Sequence, residues 1–125
     1  MNIKDILDKH AAWLRGEPEG VKADLTGANL PGAKLPGAKL PGAHLSWANL
    51  LRTNLSGANL SKANLSKANL TGANLSWANL SKANLTGANL YEANLSWANL
   101  FGAGLAGALN IDTLSWDSNT EFYPL

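Results

Sequence analysis

Histidines, hydroxyls, carboxylates and thiols carry most enzyme chemistry, and in this chain their placement argues against it. His10 and His44 are the two histidines. Neither has a Cys or a neighbouring carboxylate at metal-ligand spacing, so both read as surface residues and no metal site is expected. The chain contains no cysteine, which excludes disulfides and thiolate sites. Hydroxyls are plentiful, but Ser56, Ser61, Ser66 and Thr71 recur at one position of a pattern that repeats every fifth residue. Such repetition marks a structural hydroxyl, because a nucleophile needs its own activating base. Acid–base work needs paired carboxylates, and between Ala23 and Gly107 the acids are Asp24 and Glu92 alone. The glycines keep step with the same pattern and do not sit at a strand–helix junction that would cradle phosphate. The reading is of a non-enzymatic protein with no catalytic residues, no cofactor and no small-molecule substrate.

What the chain does supply is a regular way of positioning side chains. From Ala23 it reads Ala-Asp-Leu-Thr-Gly, Ala-Asn-Leu-Pro-Gly, Ala-Lys-Leu-Pro-Gly, and keeps that register without a break to Gly107, about two-thirds of the chain. The central residue is Leu in every unit from Leu25 to Leu105, and the residue two before it is Ala except at Thr53. A period of five fits neither regular element. On an α-helix each step of five advances about 140°, so the leucines would spiral over every face. On a flat strand successive leucines would point to opposite sides. Both problems disappear if the chain turns a corner once per unit. Four units then close one coil, Ala and Leu point inward, and the coils stack in parallel.

The corner residues support this. Pro31-Gly32, Pro36-Gly37 and Pro41-Gly42 suit type II turns, with Pro presetting φ at the first central position and Gly accepting positive φ at the second. At the other corners Lys62, Lys67, Lys82, Trp47, Trp77 and Trp97 stand where positive φ is unfavourable, which predicts type I-like turns there and two corner types in all. Asn precedes Leu in every unit from Asn49 to Asn99 and at Asn29. Stacked once per coil, these side chains are expected to form outward amide ladders such as Asn29, Asn49, Asn69 and Asn89.

The pattern Ala-Asn/Asp-Leu-Ser/Thr-X over residues 23–107 resembles the pentapeptide-repeat family. That resemblance implies an all-β fold: a right-handed quadrilateral parallel β-helix, a solenoid of about four coils, here with a short N-terminal capping α-helix. Handedness comes from the resemblance and not from the period. Some members of the family resemble B-form DNA and bind DNA gyrase through rows of carboxylates. This chain carries Asn where those members carry Asp and Glu. Residues 23–107 hold two acids against six bases (Lys34, Lys39, Arg52, Lys62, Lys67, Lys82), the wrong sign for a DNA mimic.

An open solenoid end exposes core and strand edges, so caps are expected. Residues 1–22 read as capping helix and linker. Ile3, Ile6, Leu7 and Leu14 line one side at helical spacing with Trp13 beside them, Asn2 and Asp5 suggest a capping box, and Gly16 and Pro18 stop the helix. Residues 108–125, where the pattern lapses, read as an irregular, apolar C-terminal cap with a turn at Asp117-Ser118-Asn119, and that segment is an alternative dimer contact. The charged N-terminus and the lack of a run of about 20 apolar residues lead to the expectation of a cytoplasmic protein without membrane contact.

The remaining clue is aromatic. Trp77 and Trp97 are four units apart and should stack on one corner, while Tyr91 and Phe101 also occupy outward corner positions. These four residues are the candidate protein-contact surface, for a protein partner or a homodimer. The runner-up is weak nucleic-acid or anion binding through scattered lysines such as Lys22, Lys62 and Lys82, although basic patches in nucleic-acid binders are usually denser. The near-identity of successive units also fits a duplicated or consensus-designed solenoid that has no biological partner.

Overall fold

The computed structural model describes residues 1–113 and, as backbone, residues 121–122. It opens with helix α1 (Ile3–Leu14). Asn2 caps it, its extended backbone placing Oδ1 3.1 Å from the Asp5 N–H. The Asp5 carboxylate does not complete a capping box but pairs with Lys9 one turn on. Gly16, at φ 73, ends the helix and donates its N–H to the Trp13 carbonyl.

From Asp24 the chain pairs with itself at a constant offset of four units. Parallel bridges run from Asp24–His44 through Asn64–Asn84 to Asn89–Leu109, one for every unit on the way. Each unit contributes three bonds between coils. Asn64 N–H donates to Ala43 O at 2.9 Å, Leu45 N–H donates to Asn64 O at 2.7 Å, and Lys62 N–H donates to Ser81 O at 2.9 Å. A fourth bond closes each corner, as from Ala63 N–H to Leu60 O at 3.0 Å. Only one or two residues per side are extended, so the sheet is a ladder of short rungs.

The interior follows the pattern. Ala43 to Ala103 and Leu35 to Leu100 are buried at every repeat, Thr53 taking one alanine place. Thr53 is fully buried, and its hydroxyl donates to the Leu30 carbonyl at 2.8 Å, which removes the penalty of a lone polar group in the core.

The corners differ from expectation. There is one kind, not two. The second corner residue has positive φ at every unit from Gly27 to Gly107, including Trp47, Arg52, Lys62, Lys67, Trp77, Lys82, Glu92 and Trp97 at φ 55 to 63. The reason is the stacking. Type I and type II turns differ by a flip of the central peptide. In the observed corners that peptide sends its N–H toward one neighbouring coil and its C=O toward the other. A type I corner would reverse both and face N–H to N–H, so the ladder imposes one geometry and overrides a left-handed cost of about 1–2 kcal/mol per residue.

At the C-terminal end the spacing changes. Leu109 continues the bridge to Asn89, but the next residue is Asn110 where the pattern has Leu. Asn110 takes φ 61, a short 3₁₀ turn follows at Ile111–Thr113, and Ala108 and Ile111 pack against the core. Strand β1 (Asn99–Leu100) then pairs in parallel with β2 (Glu121–Phe122), Asn99 opposite Glu121. The coil pairing thus continues beyond Gly107, at an offset slightly longer than the four units of the regular coils. The expected turn at Asp117-Ser118-Asn119 and the apolar residues Leu114, Trp116, Tyr123 and Leu125 lie outside the described residues.

Candidate interaction surface

The outward positions are the ones a ligand could meet, and the corners carry the largest side chains. Trp77 and Trp97 stack as their four-unit spacing requires. Their ring centroids are 4.7 Å apart and the planes differ by 4°. The outer faces remain open, Trp77 being 63% and Trp97 43% exposed. Offset stacking of this kind stabilises an aromatic pair by about 0.5–1.5 kcal/mol beyond its burial. Tyr91 and Phe101 are exposed as well. They stand on the two corners flanking the tryptophan corner, each one side of the square away, about 10 Å at strand rise. Trp77 and Trp97 therefore form one unit, and Tyr91 and Phe101 mark the far edges of the two sides that meet there.

The corner bases are arranged by packing. Lys22, Arg52, Lys67 and Lys82 each lie beneath a glycine one coil on, at Gly42, Gly72, Gly87 and Gly102. A Cβ built on Gly87 would stand 2.8 Å from Lys67 Cδ, and one on Gly102 would stand 3.3 Å from Lys82 Cγ. The glycines that interrupt the basic columns are thus filled by the aliphatic stems below, while the charged heads reach toward water. Lys67 Nζ also lies 5.9 Å from the centroid of the Trp47 ring, an exposed indole one coil below on the same corner and outside the candidate contact surface. Lys22, Lys62 and Lys82 line one corner, flanked by Lys39 on the side before it and by Lys67 on the next corner, with Asp24 between the two corners.

The asparagines have a different task from the one expected. Each of them from Asn49 to Asn99 points its Oδ1 at the backbone N–H two residues on, at the corner, as with Asn54 to Ser56 at 3.0 Å and Asn94 to Ser96 at 2.9 Å. Within the regular units the amide-to-amide bond along the stack is made at Asn49 Nδ2 to Asn29 Oδ1, 3.1 Å. The exception explains itself. Asn29 is followed at the corner by Pro31, which has no N–H to cap.

His10 corrects a second expectation. It is fully buried, not a surface residue. It occupies the face of α1 between Ile6 and Leu7, which pack on the core, while Leu14 is exposed. Its place three and four residues beyond those apolar positions was the available signal. His44 is exposed and pairs across coils with Asp24 and Asn64. Burial holds the His10 imidazole below its ordinary pKa, against the opposing effect of the Pro41 carbonyl, and Lys22 adds to the depression. A recess of about 270 Å³ opens beside it between α1 and the first coil, where Asp5, Lys9, Lys22 and Asp24 balance in charge. Among the described residues no three His, Cys, Asp or Glu side chains gather as a metal site, and no helix is long and apolar enough to cross a membrane.

Comparison with known proteins agrees on the fold. The family model for pentapeptide repeats matches in 8 copies over residues 21–50, 38–76 and 68–107. A pentapeptide repeat protein of the Arabidopsis thaliana thylakoid lumen is 33% identical with a TM-score of 0.69, over 72% of this chain and 63% of its own. The chain thus spans less than two-thirds of that protein's length. A trypsin-treated form of QnrB1, a plasmid-mediated fluoroquinolone resistance protein, aligns over 78% of this chain and 51% of its own at 23% identity and a TM-score of 0.56, a likeness of fold alone. No curated protein sequence matches. The family and its solved members imply a right-handed quadrilateral β-helix. With its repeats, its parallel ladder of stacked coils and these matches, the chain belongs to the pentapeptide-repeat family.

Proposed function

We propose that this chain is a non-enzymatic protein-interaction module whose contact is centred on the Trp77–Trp97 corner, and that a second copy is the first partner to test. The observation that carries the reading is the indole stack itself: two adjacent, co-planar rings on a rigid corner, both more than two-fifths exposed. Rigid aromatic anchors lose little entropy on binding and dominate protein contacts. Support also comes from the family, whose members serve generally as structural or interaction proteins. DNA mimicry is disfavoured by a positive coil.

The test is sedimentation of the purified chain across a concentration series beside a Trp77→Ser/Trp97→Ser variant. Dimerisation of the parent and not of the variant, with both melting alike, supports the reading. Two monomers would leave the indoles as corner packing and remove it.

A second reading rests on the basic corner. Lys22, Lys62 and Lys82 on one corner and Lys67 on the next would attract an anionic polymer. Binding of a labelled oligonucleotide that weakens steeply with salt and falls in a Lys62→Gln/Lys82→Gln variant would favour it. Salt-independent binding, or none, would exclude it.

A further inference from the structure

From Gly27 to Gly87 every corner of the solenoid makes the same two backbone bonds. At Pro41-Gly42 the Ala43 N–H donates to Leu40 O at 3.1 Å, and the Gly42 N–H donates to Ser61 O at 2.8 Å. One coil lower, the chain enters the first unit with Gly20 where Leu40 stands above and Lys22 where Gly42 stands. Both bonds are nevertheless present, because His10 makes them. Ala23 N–H donates to His10 Nδ1 at 2.9 Å, and His10 Nε2 lies 2.9 Å from the Pro41 carbonyl oxygen. The imidazole stands in for the missing corner, with Nδ1 in place of the leucine carbonyl and Nε2 in place of the corner N–H. The tautomer follows. A carbonyl only accepts, so Nε2 carries the hydrogen and Nδ1 keeps its lone pair for Ala23.

We propose that His10 is a pH-operated latch: protonation at Nδ1 removes the acceptor for Ala23 N–H and frees α1 from the lower edge of the first coil. The ring is fully buried, and both of its nitrogens are committed to the coil, so the added proton has nowhere to point except at another N–H. Among the described residues no acid is placed to rescue the cation. On α1, Asp5 pairs with Lys9 and Asp8 with Lys4. In the linker Glu17 pairs with Arg15, and Glu19 lies two residues beyond it. On the first coil Asp24 accepts from the Thr26 N–H and lies beside His44 of the next coil. Lys22, 5.3 Å from the Trp13 ring centroid, adds a positive charge near the imidazole.

The latched form holds its pKa below the ordinary value of 6.5, by burial first. The proton therefore binds better to the unlatched form. Latching is at full strength above about pH 6.5 and weakens as the pH falls, by up to about tenfold per unit until the latched value is reached. Freed of α1, the first coil offers the downward N–H and C=O groups of residues such as Asp24, a template for strand addition.

Hydrogen exchange read by NMR on the full chain tests this, as protection factors corrected for intrinsic rates. Between pH 7 and pH 5 the α1 amides and Ala23 should lose protection, by at most about tenfold per pH unit, while Leu65 and Leu85 hold theirs. The His10→Gln variant should show no such loss, because Gln offers an acceptor and a donor at similar separation and does not titrate. A parent whose cap protection is flat with pH, or a Gln variant that loses protection in step with the parent, overturns the proposal. Direct titration of the His10 imidazole in the parent is an independent check that needs no variant. His10 must titrate below the ordinary value of 6.5, and a value at or above it sinks the latch.

Discussion

Asn59 and Ser61 form a closed pair: the Asn59 Oδ1 accepts from the Ser61 backbone N–H at 3.1 Å and from its hydroxyl at 2.8 Å. The Ser61 N–H is the first corner donor, and the backbone ladder leaves it without a carbonyl. Asn is the residue that serves it, and this explains the order of units along the chain. Where the first corner residue is Pro, there is no donor, and the position before Leu relaxes to Lys34 and Lys39 or leaves Asn29 to accept from the next coil. Asn59→Ala should therefore cost about 1–2 kcal/mol in a urea melt. Combining Asn59→Lys with Ser61→Pro and Lys62→Gly rebuilds the unit used at residues 33–37 and should restore most of the loss. If the triple variant melts no higher than Asn59→Ala, the capping account is wrong.

Corner strain gives a prediction of opposite sign. Lys62 holds φ 59, a region that costs a side chain about 1–2 kcal/mol but costs Gly almost nothing. Lys62→Gly should stabilise the protein by about 0.5–1 kcal/mol after the extra freedom of the unfolded chain is counted. Lys67→Gly should gain less, since it uncovers Gly87 and removes the cation beside Trp47. Thermal melts of the two variants would show the ranking, and equal shifts would refute the packing part of the argument.

The seam between cap and coil is tight at Gly20. A Cβ there would overlap the Trp13 backbone N and Cα and stand 2.6 Å from the Ala12 carbonyl carbon. Backbone cannot step aside as a side-chain tip can, so Gly20→Ala should cost about 1–3 kcal/mol and displace α1. Loss of helical far-UV signal ahead of the main melt is the expected result. A single transition at the parent temperature would show that the seam is loose.

Leu65 is fully buried in a middle coil. Leu65→Asp places an unpaired carboxylate among leucines and alanines and should cost several kcal/mol at neutral pH. Protonating the acid relieves part of that cost, so the variant should recover stability relative to the parent as the pH is lowered toward 4. A variant that melts like the parent would contradict the inward direction of the leucine column.

Much of this molecule was legible from period and residue type alone. A period of five with Ala and Leu two apart determines the inward columns, the pairing of each unit with the one a coil above and the tryptophan stack, because each depends only on counting. The helix at Ile3–Leu14 followed from local caps and spacing for the same reason. What counting could not supply was the direction of each peptide and amide. The corner at Lys62 took positive φ because its N–H must meet Ser81 in the next coil, a demand that outweighs local preference. The Asn side chains turned to corner amides instead of to each other because a donor left unmet costs more than a ladder bond gains. His10 looked like a surface residue in the sequence and became the first corner of the solenoid only when α1 folded back, since its two partners, Ala23 and Pro41, are brought together by the coil itself.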